Sequence, residues 1–399
     1  MTTEPPPVRE RVDPQALIEE ARRLQRRRWR RIGTGMLALV VVVALVVTGI
    51  MHGHARPSAP SGAAAVRSHR SPASTAGMPS AVVAWTDYNR LVVLSSRTGT
   101  YLRTLATNVE IASPGLPNLS VAADGMVYFD DSSQSGEDEI YRVPIGGGSA
   151  RLVTAGYDPQ VSPNGHELAF IAPEPGGQVP YLDPSGGLAI GQISPEGLTD
   201  LRILKPTEQQ LNQGIMQLSW SPDSQQLSFD QLNGTLDRTS FWRIPVNRHV
   251  TSLGAARQIP LGSPSLTWNG YWGGHLAGVP DAGLGVLTSR NGTQKVVTIN
   301  PATGLQVSTL FTVPGDVCVA LSMSAPPLEG PGQVCSYQFN ETVVGDTSGA
   351  DVLIAGTTKF SPATGAKSAP ALYRWNSRNG SIVRLQSGVD LATWGLPGS

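Results

Sequence analysis

The chain has 399 residues, of which 40% are hydrophobic and 15% are charged, and its formal net charge is zero. A neutral balance disfavours a nucleic-acid-binding protein, which usually carries a basic surface, and two cysteines exclude a disulfide miniprotein and a four-cysteine zinc site. The length, with 44 Gly and 32 Pro, fits one large β-rich domain with additional segments.

The N-terminal part of the sequence has the features of a membrane anchor. Residues 1–31 contain nine Arg and five acidic residues, and residues 32–51 contain no charged residue. A helix of that length spans about 30 Å, the thickness of the hydrocarbon core of a bilayer. Because positive residues beside a span stay in the cytoplasm, we expect a single-pass signal anchor in the plasma membrane, with residues 1–31 inside. The alternative, a cleaved signal peptide, has a shorter apolar core of about 7–15 residues.

A polar segment separates this anchor from the rest of the chain. Residues 52–80 are rich in Ser, Ala and Pro and show no apolar periodicity. Such composition cannot bury enough apolar surface to fold. We therefore predict a disordered linker here, followed by an extracytoplasmic domain at residues 81–399.

Six similar β-hairpins recur in residues 81–399, each made of a β-rich run, a short turn and a second run. They begin at Leu91, Ile140, Leu188, Phe241, Val296 and Leu372. Their starts are 49, 48, 53, 55 and 76 residues apart. Turn glycines follow the same rhythm, at Gly99, Gly147, Gly197, Gly304 and Gly380. A period near 50 residues with several strands per repeat is typical of the blades of an all-β propeller.

A second element precedes several of these hairpins, and it carries a family resemblance. Strand, tight turn and strand end at Phe129, Phe170 and Phe229, with turns at residues 162–165 (SPNG) and 221–224 (SPDS) and a weaker copy at 122–125 (AADG). These turns resemble the Ser-Pro-Asp-Gly turn of TolB-like, or WD40-like, propeller repeats. The resemblance covers most of residues 81–399. It implies the fold and, by analogy, protein contacts in the cell envelope.

Acidic residues occur in one closely spaced segment and in the repeat turns. The segment Asp130 to Glu139 holds closely spaced oxygen ligands that could bind Ca²⁺, but it does not match the twelve-residue calcium loop, and we expect a solvated hairpin tip. Asp124 and Asp223 lie in the repeat turns. There an Asp side chain bonds its own backbone, so we expect them to be structural.

An aromatic group lies on a Gly-containing stretch, with Trp268, Tyr271 and Trp272 close together in sequence. Exposed on a propeller face, these rings could stack on a sugar or anchor a peptide. They are our candidate ligand-binding residues. The alternative is that they fill the apolar wedge between blades five and six.

Cys318 and Cys335 lie in the long last interval and bracket a loop-like stretch. Disulfides persist outside the cytoplasm, and the spacing lacks the Cys-x-x-Cys pattern of a redox pair. We predict a structural disulfide between them.

The last residues, 388–399, look like the innermost strand of a blade, whereas residues 81–106 look like the outer strands of a first blade. Joining the two would close the ring without an open sheet edge. We therefore predict six blades with closure by N- and C-terminal strands. The interval of 76 residues leaves seven blades possible.

Motifs that carry chemistry are absent from the sequence. It has no Gly-x-Ser-x-Gly elbow, no zinc motif, and no Walker or dinucleotide glycine motif. We expect no catalytic residue, no metal site and no cofactor.

These observations favour a non-enzymatic module that binds or scaffolds a protein or an envelope polymer outside a bacterial plasma membrane, and not nucleic acid. The use of 26 Arg against 4 Lys suggests a GC-rich genome of actinobacterial type. One alternative is a propeller enzyme with a metal in its central channel, acting on lactones or esters. Another is a single-pass receptor.

Overall fold

The computed structural model describes residues 81–395, apart from fifteen gaps. The gaps are 87–88, 110–118, 132–137, 174–186, 209, 211–213, 233–238, 264, 272–281, 290–292, 315–316, 319–333, 336–341, 346–350 and 361–369. These residues belong to the second of two units into which the chain divides, Arg70–Ser399. Within them, no helix has the length and apolarity needed to cross a membrane. The predicted anchor at 32–51 and the linker at 52–80 lie outside the described residues.

The described residues form six antiparallel sheets. Blade 1 contains β1 (Ala81–Thr86), β2 (Arg90–Ser95) and β3 (Tyr101–Thr107). Blade 2 contains β4 (Leu119–Val121), β5 (Met126–Asp131), β6 (Glu139–Pro144) and β7 (Arg151–Ala155). Blade 3 contains β8 (Tyr157–Val161), β9 (Glu167–Ala172), β10 (Gly187–Ile193) and β11 (Leu198–Leu204).

The other three blades follow in chain order. Blade 4 contains β12 (Gly214–Trp220), β13 (Gln226–Leu232), β14 (Thr239–Pro245) and β15 (Arg257–Gln258), with a short 3-10 helix at Leu253–Ala255 before β15. Blade 5 contains β16 (Leu266–Tyr271), β17 (Gly283–Thr288), β18 (Gln294–Ile299) and β19 (Gln306–Thr312). Blade 6 contains β20 (Val317–Cys318), β21 (Val334–Cys335), β22 (Thr342–Gly345), β23 (Asp351–Phe360), β24 (Ala371–Asn376) and β25 (Ile382–Ser387), and β26 (Val389–Trp394) ends the described chain.

The innermost strands form a closed ring. Strands β26, β4, β8, β12, β16 and β22 contact one another in that order, and β22 contacts β26. Each sheet extends outwards from its inner strand, so the molecule is a six-bladed propeller, as predicted. The six hairpins found in the sequence are the third and fourth strands of the six blades.

The ring closes through strands from both ends of the domain. Strand β26 pairs antiparallel with β1, with Val82 opposite Trp394 and Ala84 opposite Ala392. Strand β26, the last strand that the structure describes, therefore supplies the inner strand of blade 1, which confirms the predicted closure. An inner edge of β1 that would otherwise be open is thereby paired.

The long last interval does not add a seventh blade. Strand β23 has 10 residues and pairs with β20, β21 and β22 as well as with β24. Its additional length receives the two short strands β20 and β21, so the inserted residues enlarge blade 6. The prediction of six blades is confirmed.

The hydrophobic core is divided among the six interfaces between blades. Six separate apolar clusters occur, and each joins side chains of two neighbouring blades. At the interface of blades 1 and 2, Trp85 packs edge-on against Phe129 with ring centroids 6.2 Å apart. Blades 2 and 6 cover the two faces of the sheet in blade 1. Strand β1 is therefore buried along its whole length.

Candidate functional site

A groove of about 640 Å³ lies where blades 2 and 3 meet. Its walls are two hairpin turns, one between β6 and β7 with Gly148 and Ser149, and one between β10 and β11 with Ser194 and Pro195. Other lining side chains are Asp124, Met126, Arg142, Arg151 and Ile193. The groove thus combines apolar, cationic and anionic groups with backbone from two turns.

Arg142 holds the two walls together. It lies in β6, is 9% exposed, and its guanidinium donates to the carbonyl oxygens of Ser194 at 2.9 Å and of Pro195. A guanidinium presents several donors in a fixed planar arrangement. The contact therefore fixes the turn of blade 3 against blade 2 and sets the shape of the groove.

The same type of contact recurs at other blade interfaces. Arg103 of blade 1 donates to Gly146 O at 2.7 Å in blade 2, and Arg202 of blade 3 donates to Asn247 O at 2.5 Å in blade 4. Arg374 of blade 6 donates to Ser96 O at 2.7 Å in blade 1. In each pair the acceptor is a turn carbonyl of the next blade. Arginine therefore joins neighbouring blades in a repeated way.

A second feature is a line of buried carboxyl groups across blades 2, 3 and 4. Asp130 and Asp158 are fully buried and Asp230 is 5% exposed. Asp130 Oδ2 accepts from the Asp158 backbone N–H at 3.1 Å, and Asp158 Oδ2 accepts from the Leu218 N–H at 2.9 Å. Both hydrogen bonds cross a blade interface, so the two carboxyls tie each blade to the next.

Two β-bulges present these backbone donors. In β8 the register shifts between Tyr157 and Gln160, and in β12 it shifts between Met216 and Ser219. Asp158 and Gln217 have φ of 58° and 54°, in the left-handed region that residues other than Gly seldom adopt. A bulge re-aims the local backbone, and here it turns an N–H towards the carboxyl of the preceding blade.

Burial sets the protonation of the carboxyls. It raises the pKa of Asp130 well above its usual value; the Asp158 N–H opposes this rise, and the carboxyls of Asp158 and Asp138 add to it. Burial also raises the pKa of Asp230 well above the usual value, with a further contribution from Asp158. Asp138, which precedes β6, has a pKa raised by burial to about 6.

These acids do not form a recognisable metal centre. Nowhere in the described part of the chain do three or more His, Cys, Asp or Glu side chains come together as metal ligands could.

The structure places two of the three candidate ligand-binding residues in the interior. Trp268 and Tyr271 are 2% and 9% exposed, and their rings meet edge-on with centroids 5.4 Å apart. Trp268 Nε1 donates to Ser228 Oγ at 3.0 Å, which joins blade 5 to blade 4. Both rings belong to the apolar cluster between blades 4 and 5, one interface earlier than the wedge predicted as the alternative. Trp272 lies outside the described residues, and a ligand-binding role for this group stays a prediction.

The two cysteines are located by their backbone. Cys318 lies opposite Thr357 and Cys335 lies opposite Lys359, so both pair with β23. The structure does not describe the side chains of these two cysteines. No disulfide is found among the side chains that it does describe. The bridge stays a prediction.

The acidic segment 130–139 differs from the predicted solvated tip. Asp130, Asp131 and Asp138 are buried, and residues 132–137 lie outside the described structure. The expectation was wrong for these buried ends, and the hydrogen bond from the Asp158 N–H shows that blade 3 covers Asp130. The turn acids behave as predicted, since Asp124 accepts from the Met126 N–H and Asp223 from the Gln225 N–H.

The sequence contained a signal for two of the buried acids. The residue after the repeated phenylalanines is Asp130 in blade 2, Ile171 in blade 3 and Asp230 in blade 4. Blades 2 and 4 thus have a carboxyl at a repeat position where blade 3 has an aliphatic side chain. The inter-blade arginines left no such signal, because their acceptors are backbone atoms distant in sequence.

Comparison with known proteins bears on the fold of the chain. No protein-family model and no curated protein matches the chain. Among solved structures, TolB from Acinetobacter baumannii is similar with a TM-score of 0.51 and 13% identity, over 80% of this chain and 66% of that one. This chain thus spans slightly under two thirds of that protein. A putative TolB from Agrobacterium tumefaciens gives 0.47 and 14%, over 78% and 89%, and a periplasmic gluconolactonase from Pseudomonas aeruginosa gives 0.42 and 13%, over 80% and 99%. At 13% identity, the likeness to the Acinetobacter protein shows a TolB-like propeller fold alone.

Proposed function

We propose that this chain is a membrane-anchored propeller that binds a protein partner outside the plasma membrane through the groove between blades 2 and 3. The observation that carries this proposal is the groove itself, a concave surface with two hairpin turns as walls, one of which Arg142 holds by hydrogen bonds. Ligand sites in proteins are typically concave and largely preformed.

The chemistry of the groove suits a protein segment. Met126 and Ile193 supply apolar surface that is only half-buried, and Arg151 and Asp124 supply exposed charges of both signs. Protein interfaces usually combine apolar surface with polar and charged groups. An envelope polymer is the other class of ligand considered in the sequence analysis, and the experiment below distinguishes the two.

The proposed location rests on the sequence. Residues 32–51 are long enough to span a bilayer and follow an arginine-rich segment. This supports a propeller tethered outside a bacterial cell, where the Cys318–Cys335 bridge would also persist. In spheroplasts, protease should then remove a C-terminal epitope tag, and the intact protein should be lighter than its reduced form by two hydrogens.

The binding proposal is tested by cross-linking in living cells. A photoreactive amino acid replaces Ser149, which lines the groove, in the full chain. The matched control replaces Thr303, an exposed residue of the corresponding turn between β18 and β19. We expect a protein adduct of defined mass from position 149, lost with Arg151→Glu, and none from position 303.

Other outcomes contradict the proposal. Equal adducts from both positions would show non-specific encounter. Position 149 could instead give adducts of many different masses. If an envelope-polymer hydrolase reduced them to one mass, the ligand of the groove would be a polymer. Absence of any adduct at position 149, with the adduct-free protein at normal abundance, would remove the groove as a binding site.

A further inference from the structure

We propose that Asp130, Asp158 and Asp230 form a proton-binding unit that ties blades 2, 3 and 4 together and loosens as the pH rises. This property is independent of the binding groove. It would make one side of the propeller responsive to the acidity outside the cell.

The geometry shows what the unit connects. Asp130 of blade 2 accepts from the backbone of blade 3, and Asp158 of blade 3 accepts from the backbone of blade 4 at Leu218. Asp230 lies opposite Met216 in register, next to the bulge that presents the Leu218 N–H. A change of charge on Asp130 or Asp158 therefore acts directly on a contact between blades, and Asp230 lies beside the second of these contacts.

Two carboxyl oxygens of the unit are left without a partner. Asp130 Oδ1 and Asp230 Oδ1 make no hydrogen bond within the described structure, although both side chains are at least nine-tenths buried. A buried polar atom without a partner is costly. A proton on such an oxygen removes the charge and creates a donor that can face a neighbouring carboxylate.

The surroundings favour that proton. The charged groups that act on Asp130 are the carboxyls of Asp158, from β8, and of Asp138, from the segment before β6. The charged group that acts on Asp230 is again Asp158. All of these are acidic, and like charges in a buried site cannot all stay ionised.

Blade 3 shows that the fold itself does not require a carboxyl at this position. Ile171 occupies the position of Asp130 and Asp230 in the repeat and is fully buried. The acids flank Asp158 from both sides, in the blades before and after it. The two acids therefore lie in the two blades to which Asp158 is hydrogen-bonded.

The direction of the pH effect follows from the raised pKa values. The folded protein holds protons that the unfolded chain has already released above about pH 4. The stabilisation from these groups is complete below that pH, and it is lost as the pH rises through the folded pKa values. The unit should therefore be tight while its carboxyls hold protons and weaker once the pH passes their folded pKa values.

The test compares the full chain with Asp130→Asn, Asp230→Asn and the double variant in urea unfolding between pH 4 and pH 8. An Asn oxygen can still accept from the Asp158 N–H, so the substitution removes the titration and keeps the acceptor. Asp200→Asn, at an exposed position of β11, is the matched control. Wild type and control should lose stability as the pH rises. The double variant should lose less and should take up fewer protons on folding than the wild type.

A second measurement needs no variant. Infrared spectra of the wild-type protein at pH 7 should contain the carbonyl band of protonated carboxylic acid, and the band should disappear on unfolding. Absence of that band, or a pH dependence that the double variant leaves unchanged, would overturn the proposal. So would a wild-type protein that Ca²⁺ stabilises at pH 8 and whose double variant does not respond, because that outcome assigns the carboxyls to a cation.

Discussion

At the residue scale, the environment of each turn glycine decides what a substitution does. Gly99 and Gly380 occupy the same turn in blades 1 and 6, with φ of 71° and 66°. A Cβ at Gly99 would lie 2.0 Å from the Leu385 carbonyl oxygen of blade 6, whereas a Cβ at Gly380 would meet nothing within 4 Å. Both positions need left-handed backbone, but only Gly99 also allows two blades to approach.

Gly99→Ala should therefore cost more than Gly380→Ala. We expect about 1 kcal/mol for Gly380→Ala, from the left-handed conformation alone. Gly99→Ala should cost about 3 kcal/mol, because backbone of another blade must also move. Urea unfolding of the two variants measures the difference. Equal losses would show that the turn of blade 1 does not pack against blade 6.

Asp138 gives a second prediction at this scale. Burial raises its pKa to about 6, so its ionisation opposes folding once the pH passes through the interval from about 4 to 6. Relative to wild type, Asp138→Asn should gain about 2 kcal/mol in unfolding free energy between pH 4 and pH 7. The same comparison with Asp200→Asn should give no gain. A pH-independent difference for Asp138→Asn would contradict the assignment.

Side-chain environments were the least predictable part of the molecule. Trp268 and Asp130 both lie on turn-rich sequence that is typical of a surface. They are buried because a neighbouring blade covers them. Which blades meet at a given residue depends on pairings far apart in sequence, so local pattern could not show it.

At the element scale, arginine contacts join strands of one blade to turns of the next. Arg142 is the best buried of the four and makes two such bonds. Arg151 lies on the neighbouring strand, lines the same groove and is exposed. Arg142 thus holds the groove together, whereas Arg151 is exposed to a ligand in it.

Arg142→Ala should lower the free energy of unfolding by about 2–3 kcal/mol, since it removes two charge-assisted hydrogen bonds. Arg151→Ala should change it by less than about 0.5 kcal/mol. Thermal and urea unfolding of both variants check this. A loss of similar size in the two variants would show that the contacts to Ser194 and Pro195 add nothing to stability.

The strands were largely predictable from the sequence. The six hairpins, the turn glycines and the closing strand followed from a repeat of about 50 residues with turn signals between alternating runs. The bulges at Asp158 and Gln217 and the additional strands β20 and β21 did not. They depend on pairing with β9, β13 and β23 in three dimensions.

At the scale of the whole molecule, the ring has no single core, because each interface between blades holds its own apolar cluster. Closure through β26 supplies the cluster between blades 6 and 1, which includes Val389 and Ala392. Trp394 Nε1 also donates to Val344 O at 3.1 Å in blade 6. The last strand therefore connects both neighbours.

Disruption of this strand should open the ring. Val389→Asp places an unpaired charge in a fully buried site, and we expect a loss of about 4 kcal/mol or more. Val383→Asp, on the neighbouring strand β25, is the control, because Val383 is 42% exposed. Cooperative unfolding of both variants at the same urea concentration would contradict closure by β26.

The proposed function is tested most directly by the effect of the groove on what the full chain binds. The chain is isolated from native membranes as wild type, Arg151→Glu and Arg257→Glu, and bound proteins are quantified by mass spectrometry. Both arginines begin an outermost strand and are exposed, but only Arg151 lines the groove. If the groove binds a protein, one partner should fall at least tenfold with Arg151→Glu and stay unchanged with Arg257→Glu, a loss of about 1.4 kcal/mol or more. An identical set of bound proteins in all three preparations would contradict the proposed function.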